Sequence, residues 1–418
     1  MKTSSPLPRM ERRTFLQSGL LAGMSMMLPR LSVAHADTDS RLVLLILRGA
    51  LDGLAVVAPY GDGNYQRLRG ELALPSPGSS QGALKLDGMF ALHPALSNLH
   101  ARYQANELLV LHAIASPYRE RSHFDGQDLL ENGTTQPHAA LDGWLNRALP
   151  GMIGVQHHVS DEFAMAFAQN VPLVLRGAQH VGSWAPSRLP ATDEDTLQRI
   201  ADLYAGDSYL ASRLQIAMQT DAIANETDGN GAGEETMMMK SSTAHNSPLG
   251  NVVTAAGKML KQDDGPRVAV MDATGWDTHA NQGAEKGLLA TRLSGLDAAI
   301  ESLRIELGDV WQKTVVVMVT EFGRTVAING TRGTDHGTAT CALLAGGAVS
   351  GGKVMTDWPG LAPHQLYQGR DLMPTTDLRA LFKGVLNEHL GVPESLLETK
   401  VFAGSGNVKP LSGVLHPA

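Results

Sequence analysis

Short unbroken runs of Val, Ile and Leu set the rhythm of this chain: residues 42–47, 108–111, 267–271, 315–319 and 341–344. Each leads into glycine or polar residues. Unbroken apolarity means that both faces of a strand are buried, which is how parallel strands covered by helices on two sides read. Between the runs the apolar residues recur at helical spacing, over 94–106, 194–220, 251–262, 287–308 and 377–390. In the fourth of these, Leu288, Leu289, Leu293, Leu296, Ile300 and Leu303 make one apolar face. The pattern predicts an α/β fold with a parallel-rich central sheet and helices on both faces. No internal repeat or linker divides it, so residues 37–418 are expected to form a single domain. One stretch breaks the rhythm: 225–248, rich in Gly, Ser, Thr, Asn and acids around Met237-Met238-Met239, predicts a flexible surface insertion.

The amino terminus follows a different logic. Glu11-Arg12-Arg13-Thr14-Phe15-Leu16-Gln17 sets paired arginines before the apolar stretch 20–28, and Ala34-His35-Ala36 supplies a small-x-small cleavage site. The stretch is well short of the roughly 20 residues that a bilayer span needs. Residues 1–36 therefore read as a twin-arginine signal peptide, and the export machinery that accepts it is the first expected partner. The mature chain belongs in the periplasm or beyond, with no stable membrane span.

Composition narrows the function. A net charge of −8 with few aromatics excludes nucleic acid, whose phosphates call for a basic face. A lone cysteine, Cys341, excludes an internal disulfide and sits in an apolar run as a small core residue.

Polar residues gather just past the predicted strands, where open α/β sheets place their ligands. Arg48-Gly49-Ala50-Leu51-Asp52-Gly53 follows the first run, and Ser122-His123-Phe124-Asp125 lies downstream of the second. Asp272 and Gly275-Trp276-Asp277-Thr278-His279 follow the third, Thr320-Glu321-Phe322-Gly323-Arg324 follows the fourth, and Asp335-His336-Gly337 precedes the fifth. Carboxylates and imidazoles delivered to one edge from separate strands are what a divalent metal site requires. His93, His112 and the pair His157-His158 read as structural histidines, and Trp144, Trp276 and Trp358 suit core packing as well as a pocket wall.

Together with Pro59-Tyr60-Gly61, Gly143-Trp144-Leu145 and Asp357-Trp358-Pro359-Gly360-Leu361, these motifs resemble the exported bacterial family called domain of unknown function 1501, over residues 42 to 390. That family is similar to the alkaline phosphatase superfamily of phosphatases, sulfatases and phosphoglycerate mutases. The resemblance implies one or two divalent ions (zinc, calcium, magnesium or manganese) over the sheet. It matches Asp52 to the aspartate after the first strand, Asp277 and His279 to an Asp plus His pair, and His336, with Asp335 beside it, to the last histidine ligand. Glu321 falls where an Asp-His pair ends a strand, but Phe322 replaces the histidine. Ser122, flanked by Arg119, Arg121 and His123, is the candidate nucleophile, and Arg324, with Arg48 or Arg121, the candidate fork for an anionic ester. The functional expectation is an exported metal-dependent hydrolase or transferase acting on phosphate or sulfate esters. The rival is a catalytically degenerate binding or assembly factor serving an envelope component.

Overall fold

The computed structural model describes residues 39–152, 163–186, 194–204, 206–225 and 248–416. The amino-terminal address, His157-His158 and nearly all of the 225–248 stretch lie outside these residues. Among the described residues there are twelve strands: β1 (Arg41–Arg48), β2 (Val57–Ala58), β3 (Leu84–Lys85), β4 (Ala91–Leu92), β5 (Leu108–Ala115), β6 (Ala164–Ala166), β7 (Gly182–Ser183), β8 (Val268–Thr274), β9 (Thr314–Val319), β10 (Thr340–Ala345), β11 (Lys353–Met355) and β12 (Thr376–Asp377). Nine make one sheet in the order β11-β5-β10-β9-β1-β8-β6-β7, with β12 also on β5. The strands β2, β4 and β3 make a small antiparallel sheet beside it.

All five predicted runs are strands, yet one runs the other way. Within the large sheet β1 is parallel to β8 and β9, and β6, β7, β11 and β12 also pair in parallel. Strand β10, read as parallel from its apolar run, is antiparallel to both β9 and β5. An unbroken apolar run reports burial on two faces and says nothing about direction. The reversal matters because it brings the start of β10 to the edge where β1, β5, β8 and β9 end.

Alternate residues of β1 feed two cores. Leu42, Leu44 and Ile46 pack with Leu381, Phe382, Val385 and Leu386 of helix Leu378–Leu390, while Val43, Leu45 and Leu47 pack with Leu293, Ile300 and Leu303 of helix Leu288–Leu307. Helices Ser97–Gln104 and Pro248–Lys261 join the second core through Leu99, Tyr103, Val253 and Leu260. Cys341 is buried there as well. Leu288, by contrast, ends up exposed at the first turn of its helix. The predicted helix 194–220 is two helices, Glu194–Tyr204 and Ser208–Asn225.

The longest helix that the apolar spacing does not predict follows β5. His123–Asn132 begins right after Ser122, and only Leu129 and Leu130 of its side chains are apolar and buried, so no apolar stripe announces it. Among the described residues, no helix is long and apolar enough to cross a membrane.

Candidate metal centre

Four side chains meet at the edge of the sheet. His123 opens the helix that follows β5, Asp277 and His279 lie on the loop after β8, and His336 lies just before β10. The Nε2 atom of His336 is 2.9 Å from Nε2 of His123 and 2.9 Å from Nε2 of His279. Asp277 closes the group, its carboxylate 3.4 Å from Nε2 of His123, 3.1 Å from that of His279 and 3.4 Å from that of His336. His123, Asp277 and His336 can each turn one donor atom to a common point, and so form a group able to hold a metal ion.

The backbone makes this approach possible. Gly49 sits at φ +124°, and a Cβ there would come within 2.7 Å of the Asp277 amide, so only glycine lets the β1 loop pass under the β8 loop. On the other side, residues 323–325 run against 335–338, with Thr325 donating to the Asp335 carbonyl and Gly337 to that of Gly323. This ribbon carries His336 over Phe322, which lies under the site. The Phe322 ring stacks on His123 at 5.0 Å and tilts against His336 at 5.3 Å.

The groups behind the imidazoles decide which nitrogens face the centre. His123 donates from Nδ1 to Glu321 at 2.8 Å, and His336 donates from Nδ1 to the Arg121 carbonyl at 3.0 Å. In their neutral forms both rings therefore present bare Nε2 lone pairs to each other and to the Asp277 carboxylate. Converging acceptors repel unless a cation stands among them. A proton on one imidazole relieves a single contact, whereas a divalent ion relieves all. Tetrahedral coordination with bonds of about 2.0–2.1 Å separates donors by roughly 3.3 Å, close to the spacings here.

Without an ion, electrostatics favour a second proton on His123 and a neutral His336. The hydrogen bond to Glu321 raises the His123 pKa against the effect of its burial, while burial, and then the charge of His123, lowers that of His336. Burial acts to raise Glu321, but hydrogen bonds from His123, Gln127 and Thr320 outweigh it and hold the carboxyl below its usual range. Asp277 also feels desolvation first, yet Arg324 keeps it low and ionised.

Several sequence expectations are revised. Glu321 is fully buried behind His123, where it accepts from Gly49 N, Gln127 and Thr320 as well, so it orients a donor and does not itself point at the centre. Asp52 is buried, and its carboxylate is taken by Gln282 and by the guanidinium of Arg69 at the end of helix Tyr65–Arg69. Asp335 lies 3.5 Å from Nδ1 of His279, and the orienting partner of His336 is the Arg121 carbonyl instead. The buried guanidinium of Arg324 donates to the carbonyls of Gly49, Ala50, Trp276 and Thr334 and to Asp277, so it staples loops together and leaves no fork for an ester. Arg48 is held by Glu131 and Asp272, and Arg121 by Asp371 and Gln368. The Ser122 backbone N–H donates to the Tyr118 phenol oxygen at 3.2 Å, and among the described residues no imidazole or carboxylate hydrogen-bonds the Ser122 hydroxyl. The sequence sets His123 beside a candidate nucleophile; the geometry puts it among the candidate metal donors. It missed Gln127 and Asp371, which carry no motif.

No curated protein matches the chain. Among solved structures it is similar to the phosphonate monoester hydrolase of Agrobacterium radiobacter, with 12% identity, 85% of this chain and 74% of that one covered, and a TM-score of 0.32. It is also similar to the PsFucS1 sulfatase from Pseudoalteromonas sp., with 13% identity, coverage of 84% and 70%, and a TM-score of 0.32. A third is alkaline phosphatase from the Antarctic bacterium TAB5, with 11% identity, coverage of 76% and 94%, and a TM-score of 0.34. Residues 39–401 match the family described as "Protein of unknown function (DUF1501)", and the chain belongs to that family.

Proposed function

We propose that this protein is an exported metal-dependent hydrolase, centred on His123, His279, His336 and Asp277, that acts on phosphate or sulfate esters. The observation that carries the reading is the convergence of bare imidazole nitrogens and one carboxylate within 2.9 to 3.4 Å. A divalent ion held there supplies Lewis acidity and lowers the pKa of a water it binds toward neutrality. The chain does the rest. Glu321 and the Arg121 carbonyl fix the tautomers of two donors, Arg324 keeps Asp277 ionised, and Phe322 walls the site from below.

A donor set of three nitrogens and one carboxylate suits zinc or manganese, whereas calcium and magnesium call for oxygen ligands. One ion fits better than two, since Arg69 already neutralises Asp52. With no base on Ser122, we assign the attack to water. The ester class rests on the sequence resemblance, and export rests on the Arg12-Arg13 address.

A binding or assembly factor in the cell envelope is the second reading. It is favoured by one observation, that Arg48, Arg121 and Arg324 are all engaged by protein groups. Elemental analysis of protein purified from the periplasm, followed by assays on 4-nitrophenyl phosphate, 4-nitrophenyl sulfate and phenyl phosphonate esters, separates the two. About one zinc or manganese per chain with turnover of any ester supports the hydrolase. A bound metal without turnover favours the binding factor, and protein free of metal refutes the centre.

A further inference from the structure

We infer that Arg121 and Asp371 form a positioning pair that sets the donor nitrogen of His336, an assignment that rests on the metal reading above. The Arg121 carbonyl accepts from Nδ1 of His336 at 3.0 Å, and that contact leaves Nε2 bare toward the centre. The carbonyl reaches this place only because Arg121 adopts φ +62°, a left-handed conformation that is disfavoured for a side-chain-bearing residue. Something must hold it there.

The hold comes from the turn at residues 367–371. Nε of Arg121 donates to Oδ2 of Asp371 at 2.8 Å, Nη2 donates to Oε1 of Gln368 at 2.7 Å, and the guanidinium lies 5.9 Å from the centroid of the Tyr367 ring. Asp371 is itself fully buried. It accepts from Thr338 at 2.8 Å, and its backbone exchanges hydrogen bonds with Tyr367. A buried carboxylate therefore grips a guanidinium whose own backbone carbonyl grips the histidine. Arg121 also lies two residues before His123, so one short segment delivers a donor and orients another. His123 is aligned by a charge, Glu321, and His336 by a strained carbonyl.

The test titrates metal-free protein with Zn²⁺ against a chromophoric chelator and records the visible spectrum of the Co²⁺ form, with circular dichroism to follow folding. Arg121→Ala and Asp371→Asn should each weaken Zn²⁺ binding about 10- to 100-fold and alter the Co²⁺ bands, since support of a ligating histidine is worth about that much. The double variant should be no weaker than the weaker single one, as expected of two residues acting in series. Folded variants with wild-type affinity and spectrum overturn the pair. If both variants fail to fold, Gln368→Ala removes only the outer contact. It should cost roughly threefold in affinity, the worth of one modest hydrogen bond, and no change overturns the pair. Wild-type protein that holds no Zn²⁺ sinks the metal reading itself, an outcome distinct from indifferent variants of a protein that does.

Discussion

Exchanging Glu321 for glutamine alters a charge and almost no shape, which makes it the sharpest probe of the centre. Oε1 accepts from Gly49 N at 2.9 Å, His123 Nδ1 at 2.8 Å and Gln127 Nε2 at 3.1 Å, and Oε2 accepts from Thr320 at 2.8 Å. An amide oxygen in the first position keeps those three donors. The amide nitrogen in the second faces the Thr320 hydroxyl, which can turn to accept. Every hydrogen bond survives, each weakened from charged to neutral by about 1 kcal/mol. The variant should fold and should bind Zn²⁺ roughly tenfold more weakly, because the His123 donor loses its carboxylate support.

The pH dependence of Glu321→Gln follows from two opposite shifts. The folded pKa of Glu321 is depressed, so its contribution is present above the ordinary carboxyl value of 4.5 and is lost as pH falls through the folded value. That of His123 is raised, so its contribution is complete below the ordinary imidazole value of 6.5 and is lost as pH rises through the folded value. In metal-free protein the stability gap between wild type and variant should be widest between about pH 4.5 and 6.5 and should narrow on both sides. Chemical denaturation across pH and a proton NMR titration of His123 read it out. A gap that does not vary with pH, with an unmoved His123 titration and unchanged Zn²⁺ affinity, would refute the role given to Glu321.

Other outcomes are equally specific. His112 is fully buried, donating from Nε2 to the Val57 carbonyl at 3.0 Å, and burial pushes its pKa down to about 4. Its neutral form stabilises the fold above the ordinary value of 6.5, so about 3 kcal/mol should vanish between pH 6.5 and 4, and His112→Gln should flatten that part of the denaturation profile. Burial also raises the Cys341 thiol to about 12, so Ellman's reagent should leave it untouched in native protein and titrate it fully in guanidinium chloride. Replacing Arg12 and Arg13 by lysine should retain precursor in the cytoplasm, with immunoblots of cell fractions as the measurement; unchanged export contradicts the twin-arginine address.

The sequence was most readable where burial is total. Runs such as 42–47 and 315–319 read as central strands and are so, and the polar groups past their ends lie at the edge where the candidate site gathers. Direction was not readable for β10, because apolar side chains on two faces look the same whichever way the strand runs. Roles within the site were hidden for a related reason. Asp52 and Glu321 both follow strands, yet Arg69 at the end of a short helix captures one and His123 the other. Arg324 looks like an anion fork until four backbone carbonyls close around it. The support of His336 comes from a main-chain carbonyl, a group that every residue possesses and no motif records.

The donors of the centre are far apart along the chain, with 213 positions separating His123 from His336 and 57 separating His279 from His336. An ion cannot start folding by gathering them, as it does in a small finger whose ligands are near neighbours, since the loops to be closed are too long to close cheaply before the sheet exists. It can only latch a finished molecule. Such a latch hardly alters the folding rate, but it must open before β5, β8 and the start of β10 can separate, so bound metal should appear as slower unfolding. Occupancy of the proposed centre would then certify part of the assembly: a chain that carried an ion there would already have brought β5, β8 and the start of β10 together.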